Sequence, residues 1–151
     1  MDWWSYIWES RPFFSSSKAY RNLGHAQVHH SFQWTWNSSC QNKHKVFFWI
    51  LLKDSLSTRN ILRRKIIFFL SYDCALFTNN SEETLEHLFL HCPFDVACWG
   101  LVDLQVPHQA DIFLAVDSFK SQLHTPHFMN IVILLCWSIW LTRNDLIFQG
   151  L

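Results

Sequence analysis

Residues 74–92, CALFTNNSEETLEHLFLHC, join a thiol, a turn and a histidine-containing helix end. The stretch begins at Cys74, passes through turn-forming residues and closes in a helical pattern on His87, His91 and Cys92. Zinc sites of small domains combine thiolate and imidazole ligands from a tight turn and a nearby helix end. Four residues separate His87 from Cys92, a spacing typical of two ligands of one metal ion. The stretch therefore predicts a zinc-knuckle-like turn with Cys74, His87 and Cys92 as metal ligands.

A fourth ligand is less evident in the sequence. Structural zinc sites are normally closed by four protein ligands, but the position three residues after Cys74 holds Phe77, which could fill an apolar gap there. Water, His91, Asp73 and Cys98 remain as alternatives for the fourth ligand. In the alternative without metal, the thiols are buried small hydrophobic groups in a packed helix and turn.

Several separated blocks carry a resemblance to a known family. They are Cys74, residues 86–89 (EHLF), residues 92–94 (CPF) and Trp99, and, further out, residues 14–20 (FSSSKAY), Trp36, residues 45–49 (KVFFW) and residues 56–59 (LSTR). In these blocks the chain resembles the zinc-binding domain of reverse transcriptases from plant LINE-type non-LTR retroelements. The resemblance covers residues 13–100, and residues 137–145 resemble the segment that follows this domain.

The resemblance implies a non-catalytic domain with zinc as its cofactor. The family pattern has a second thiol where this chain has Phe77. The domain lies between the polymerase and ribonuclease H regions of a retroelement polyprotein, so the implied partners are RNA or DNA and the neighbouring regions of the polyprotein. The alternative is a metal-free helical domain with a structural or protein-interaction role, or a relic fragment.

Charge is segregated along a chain whose net charge is zero. Residues 43–65 hold seven of the twelve basic residues and one acid, whereas residues 66–119 hold eight acids and no Lys or Arg. A basic face of this kind predicts nucleic-acid binding by Arg59, Arg63, Arg64 and Lys65. The alternative is that the two segments neutralise each other across the fold.

Other features argue against catalysis and secretion. The acids form no paired-aspartate motif of the kind that holds two metal ions for phosphoryl transfer, so we expect no enzymatic activity. Five cysteines show no regular disulfide framework, and residues 1–20 lack a basic start followed by an apolar run. These features predict an intracellular protein, nuclear or cytoplasmic, with reduced thiols.

Hydrophobic periodicity predicts a mainly α fold, a small helical domain. We divide the chain into an N-terminal aromatic segment (1–12) with a short β-hairpin, the zinc-binding-like domain (13–100), a loop-rich linker (101–126) and a C-terminal helix (127–151). Residues 46–52 predict a buried central helix or, alternatively, a strand, and Ser57 and Ser81 are expected helix N-caps. The apolar run 131–141 is shorter than the roughly 20 residues of a membrane span, so we expect no membrane span there.

Overall fold

The computed structural model describes residues 29–77 and 80–149, and the hairpin predicted within residues 1–12 lies outside them. The elements in this part are helices: α1 (His30–Asn37), α2 (Asn42–Leu52), α3 (Arg59–Arg64), a π-helical turn (His87–His91), α4 (Pro93–Gly100), α5 (Ile112–Gln122) and α6 (Phe128–Gln149). Extended pairing within the described residues is limited to one antiparallel bridge between Asp73 and Glu82. The mainly α prediction is confirmed.

Helix α2 is the central helix that the apolar run predicts, and the strand alternative is wrong. It buries Phe47, Phe48, Leu51 and Leu52, and each such side chain removed from water contributes roughly 1.5–3 kcal/mol. Its main neighbour is α6, where the Phe47 ring meets the edge of Trp137 with ring centroids 5.1 Å apart. The two helices form the middle of the hydrophobic core.

Helix α6 has twenty-two residues, lies within the predicted C-terminal helix (127–151) and contains the apolar run 131–141. By length and composition alone, α6 could cross a membrane. This is weak evidence for a membrane span, because core helices of soluble proteins meet the same criterion. The buried positions of α6 recur every three or four residues, as on the inward face of a packed helix; they are Phe128, Met129, Val132, Ile133, Cys136, Ile139 and Arg143. This face packs into the core.

Residues 101–126, which we expected to be a loop-rich linker, contain helix α5. The Asp111 carboxylate caps this helix by accepting a hydrogen bond from the Leu114 N–H at 2.8 Å. Phe119 of α5 is fully buried and packs on Trp99, with ring centroids 4.5 Å apart. We expected a loop here because Pro107 and Pro126 stand on either side of α5.

Both predicted serine caps are wrong, for different reasons. Thr58, not Ser57, precedes α3, and the carboxylate of Glu83 caps this helix by accepting from the Arg59 N–H at 2.9 Å. Residues 81–84 are not helical. Instead the hydroxyl of Thr84 accepts from the His87 N–H at 3.1 Å, three residues on, which is N-cap geometry.

Candidate metal centre

The structure brings Cys74, His87 and Cys92 together. One ligand atom from each lies within 4.8 Å of the others, and the two sulfur atoms are 3.8 Å apart. Tetrahedral zinc, with Zn–S near 2.3 Å and Zn–N near 2.1 Å, requires ligand atoms about 3.5–4 Å apart. The sulfur pair meets this requirement, and the nitrogen lies close enough to reach it with a small adjustment.

A short backbone pairing places Cys74. Its N–H donates to the Ser81 carbonyl at 2.8 Å, and the Glu83 N–H donates to the Tyr72 carbonyl at 2.9 Å. These bonds lie on either side of the bridge between Asp73 and Glu82 and hold residues 72–74 beside residues 81–83. The thiol therefore lies beside the helical segment that follows, although eighteen positions separate it from Cys92.

The π-helical turn places the other two residues. On an α-helix, residues five positions apart point about 140° away from each other. Here the Cys92 N–H donates to the His87 carbonyl at 2.8 Å, a bond across five positions that widens the turn. The turn thus directs His87 and Cys92 towards the same point. Pro93 then begins α4 and prevents the first helical segment from continuing.

Backbone N–H groups favour the thiolate form of both cysteines. Burial raises the pKa of Cys74 to about 12, while the N–H groups of Leu76 and Phe77 lower it. Burial also raises the pKa of Cys92, while the N–H groups of Phe94 and Asp95 at the start of α4 lower it. In each case the donors stand two and three residues after the cysteine. The cost of a buried thiolate is reduced in advance, and a bound cation would offset the rest.

His87 has the properties of an imidazole ligand. Burial, reinforced by His91, lowers its pKa below the usual value, so the ring is neutral at pH 7. Its Nε2 is buried and has no hydrogen-bond partner among the described residues. Buried polar atoms are rarely left unpaired in folded proteins. A metal ion bound at Nε2 of His87 would satisfy this atom, so the residues present fit zinc.

The predicted alternatives for the fourth ligand do not join this cluster. Within the described residues the group contains Cys74, His87 and Cys92, but not His91, Asp73 or Cys98. His91 is engaged elsewhere through a 2.9 Å contact between its Nε2 and the Ala110 carbonyl. Phe77 is 44% exposed, so it does not fill a buried apolar gap.

The basic residues do not form the free cationic face that nucleic-acid binding would favour. Arg63 pairs with Glu82 at 3.2 Å and Arg64 with Asp54 at 3.7 Å. The Arg59 guanidinium donates to the Asp73 carbonyl at 2.6 Å, while Lys65 is exposed. Acidic side chains thus neighbour two of the four predicted residues, and nucleic-acid binding stays a prediction. Neutralisation between the basic and acidic segments, the alternative, holds for the pair of Arg63 and Glu82, whereas Asp54 belongs to the basic segment itself. Exposed pairs of this kind are each worth roughly 0–1 kcal/mol.

Two buried carboxylates near the cluster have no role in the sequence interpretation. Glu83 is fully buried against Arg143, with Oε1 and Nη2 2.5 Å apart. Asp95 is also fully buried, and neither of its carboxylate oxygens has a hydrogen-bond partner among the described residues. Burial raises the pKa of Asp95 to about 8. In the sequence, both look like ordinary acids in the first turn of a helix.

Asp95 should give the metal-free protein an unusual pH profile. Its pKa rises from an ordinary 3.8 to about 8 on folding, so the folded state keeps a proton that the unfolded chain loses. Stability should therefore fall between pH 4 and pH 8, with a loss on the order of 4 kcal/mol by pH 7. We expect Asp95→Asn to flatten this slope in urea unfolding under reducing, chelated conditions. An equally steep slope in Asp95→Asn would contradict the assignment.

Together, the helical fold and the cluster define a class: a small α domain with a cysteine and histidine site of the zinc-binding type. A family model, zf-RVT, zinc-binding in reverse transcriptase, matches residues 14–99. This match covers more than half of the chain and contains all three residues of the cluster, so the chain belongs to the zf-RVT family. No curated protein and no solved structure matches the chain.

Proposed function

We propose that the chain is a non-catalytic zinc-binding domain of a reverse-transcriptase-related polypeptide. Cys74, His87 and Cys92 would hold the ion, whose role is to fasten the Cys74 turn to the start of α4. The observation that carries this proposal is the convergence of one ligand atom each from Cys74, His87 and Cys92 within 4.8 Å. The His87 ring also has a buried Nε2 without a hydrogen-bond partner among the described residues. Family membership supports it independently.

A structural role suits this site better than a catalytic one. Three protein ligands plus water is also the arrangement of catalytic zinc, which needs an open position facing substrate. Here Cys74 and Cys92 are buried. Two surface cavities lie elsewhere, one beside α1 and the start of α6, the other between α3 and the end of α6. When bound, zinc would supply cross-linking between two segments, and binding would be coupled to folding.

We propose neighbouring regions of the same polypeptide as the partner of this domain. The pairing of Arg63 and Arg64 with acids leaves less free positive charge for a phosphate backbone. RNA or DNA contact remains the alternative. It would appear as binding that weakens steeply with added salt.

A metal titration of the purified, reduced chain tests the zinc proposal. We expect one zinc per chain, and with cobalt as a probe, absorbance typical of tetrahedral coordination and sulfur-to-metal charge transfer. Cys74→Ser should remove most of the charge-transfer signal. Cys40→Ser changes a half-buried thiol outside the cluster and should leave the signal intact. A folded parent chain that binds neither metal would support the alternative of a metal-free structural domain.

A further inference from the structure

The Glu83 carboxylate lies at the junction of α3, α6 and the segment that carries the cluster. Arg143 of α6 contacts both of its oxygens, through Nη2 at 2.5 Å and Nε at 3.2 Å. Glu83 Oε1 also accepts from the Arg59 N–H at 2.9 Å. Both partners of the ion pair are almost completely excluded from solvent. A charge-assisted pair with several hydrogen bonds holds its groups in a narrow range of positions.

Arg143 is itself fixed by further contacts. Its Nη1 donates to the Asn144 Oδ1 at 2.9 Å and its Nη2 to the Ser57 carbonyl at 3.4 Å. The guanidinium also lies over the Trp140 ring, 4.8 Å from its centroid. The planar group is thus held on its edges and on one face. It gives Glu83 a rigid partner rather than a mobile surface cation.

Glu83 is connected through the backbone to the segment that places Cys74 and to the turn that carries His87. Its N–H donates to the Tyr72 carbonyl at 2.9 Å, in the pairing that places Cys74, and its carbonyl accepts from the Asn60 N–H at 3.2 Å. The next residue, Thr84, caps the turn that carries His87. A displacement of Glu83 would therefore move the backbone on which Cys74 and His87 both depend.

We propose that Arg143 is a positioning residue of the metal centre and acts through Glu83. The inference rests on the proposed zinc-binding function. Arg143 lies beyond residues 14–99, the region that matches the family model. Helix α6 therefore belongs to the metal-binding unit of this chain, and the ion pair couples the position of α6 to the geometry of the cluster.

Removing one partner should weaken metal binding. Arg143→Met keeps an unbranched, apolar side chain but leaves the Glu83 charge buried and without its cation. We expect zinc affinity to fall by about 10–100-fold, the usual effect of losing an outer partner of a metal site. The cobalt spectrum of the saturated variant should also differ from that of the parent, because the ligands no longer hold the same angles.

A double variant separates positioning from simple destabilisation. Replacing both members of a buried ion pair by apolar residues often restores stability. Glu83→Met with Arg143→Met should therefore melt at a higher temperature than Arg143→Met alone, while its zinc affinity and cobalt spectrum stay altered. Ile133→Ala provides the control: it empties a fully buried position of α6 and should lower the melting temperature without changing the cobalt spectrum.

The experiment is a zinc and cobalt titration of the full chain and these variants below their melting temperatures. Support requires weak binding in both variants that lack Arg143 and a parent-like spectrum in Ile133→Ala. A double variant whose zinc affinity returns to that of the parent together with its stability would overturn the positioning role. Failure of the parent chain to bind metal would overturn the proposed function itself. Binding by the parent that is unchanged in Arg143→Met would overturn only the present inference.

Discussion

Phe77→Cys should increase the zinc affinity of the chain by at least about 100-fold, more than the usual effect of an outer partner of a metal site. The substitution would add a fourth ligand to a cluster in which the structure brings three together. Structural zinc is normally four-coordinate and binds thiolate well. The backbone N–H of Phe77 already lowers the pKa of Cys74, which places the backbone of residue 77 beside the first sulfur.

The substitution should cost the metal-free protein little. A buried Phe replaced by a small residue loses roughly 3–5 kcal/mol, but the Phe77 side chain is 44% exposed and loses only part of its contacts. Without metal we therefore expect Phe77→Cys to be no more stable than the parent. With zinc, the variant should gain stability as the logarithm of the ratio between the free zinc concentration and the dissociation constant of zinc.

The measurement is a competitive zinc titration under reducing conditions, with melting followed in parallel. Phe77→Ser is the matched control, because it removes the ring and introduces a side chain of similar size without a thiol. Its zinc affinity should stay at the parent level. If Phe77→Cys and Phe77→Ser bind zinc equally, the added thiol does not reach the ion and the loop is not arranged as a two-thiol turn.

The members of the cluster could be chosen from the sequence, but the way they converge could not. Thiol and imidazole are distinctive donors, and Pro93 marks the helix end beside Cys92. The acidic pair after Ser81, by contrast, resembles the first turn of a helix, where carboxylates are favoured by the helix dipole. The chain instead uses Glu82 for a backbone bridge and delays the helix until Thr84.

Pairing between residues far apart in the chain explains most of the remaining differences between the sequence-based predictions and the structure. Glu83 and Arg143 are sixty positions apart, and nothing local indicates that each buries its charge against the other. The same holds for Arg63 and Glu82, which belong to segments of opposite charge. Local patterns predicted α2 and α6 well because a hydrophobic helix needs no specified partner to be recognised. Ion pairs depend on a specific partner and appear only once the helices are placed.

Trp99 supports the π-helical turn from within the core, and we expect its substitution to have the largest effect on stability. In a continuous helix the Phe89 carbonyl would accept from residue 93, but proline has no N–H. The indole Nε1 of Trp99 donates to this carbonyl at 2.7 Å, and the Trp99 side chain is fully buried. One side chain therefore satisfies the backbone group that Pro93 leaves unpaired and fills the space between α4 and α5.

Trp99→Ala should lose about 3–5 kcal/mol for the cavity and a further 1–3 kcal/mol or so for the unpaired carbonyl. The sum is comparable to the roughly 5–15 kcal/mol that stabilises a typical domain, so this variant should be largely unfolded without metal. Trp99→Phe separates the two effects, because it keeps most of the ring volume and removes the donor. We expect it to remain folded but to lose about 1–3 kcal/mol for the unpaired carbonyl alone.

Urea unfolding of the reduced chain measures both variants. Trp137→Phe is the control, since Trp137 is half-buried and packs against Phe47 through ring contacts. Its indole donates no hydrogen bond to the described residues, so the change should cost less than Trp99→Phe. Because zinc would bind at the two ends of the same turn, saturating metal should recover part of the stability that Trp99→Phe loses. If Trp99→Phe costs no more than Trp137→Phe, the Phe89 carbonyl does not depend on the indole, and Trp99 stabilises the turn by packing alone.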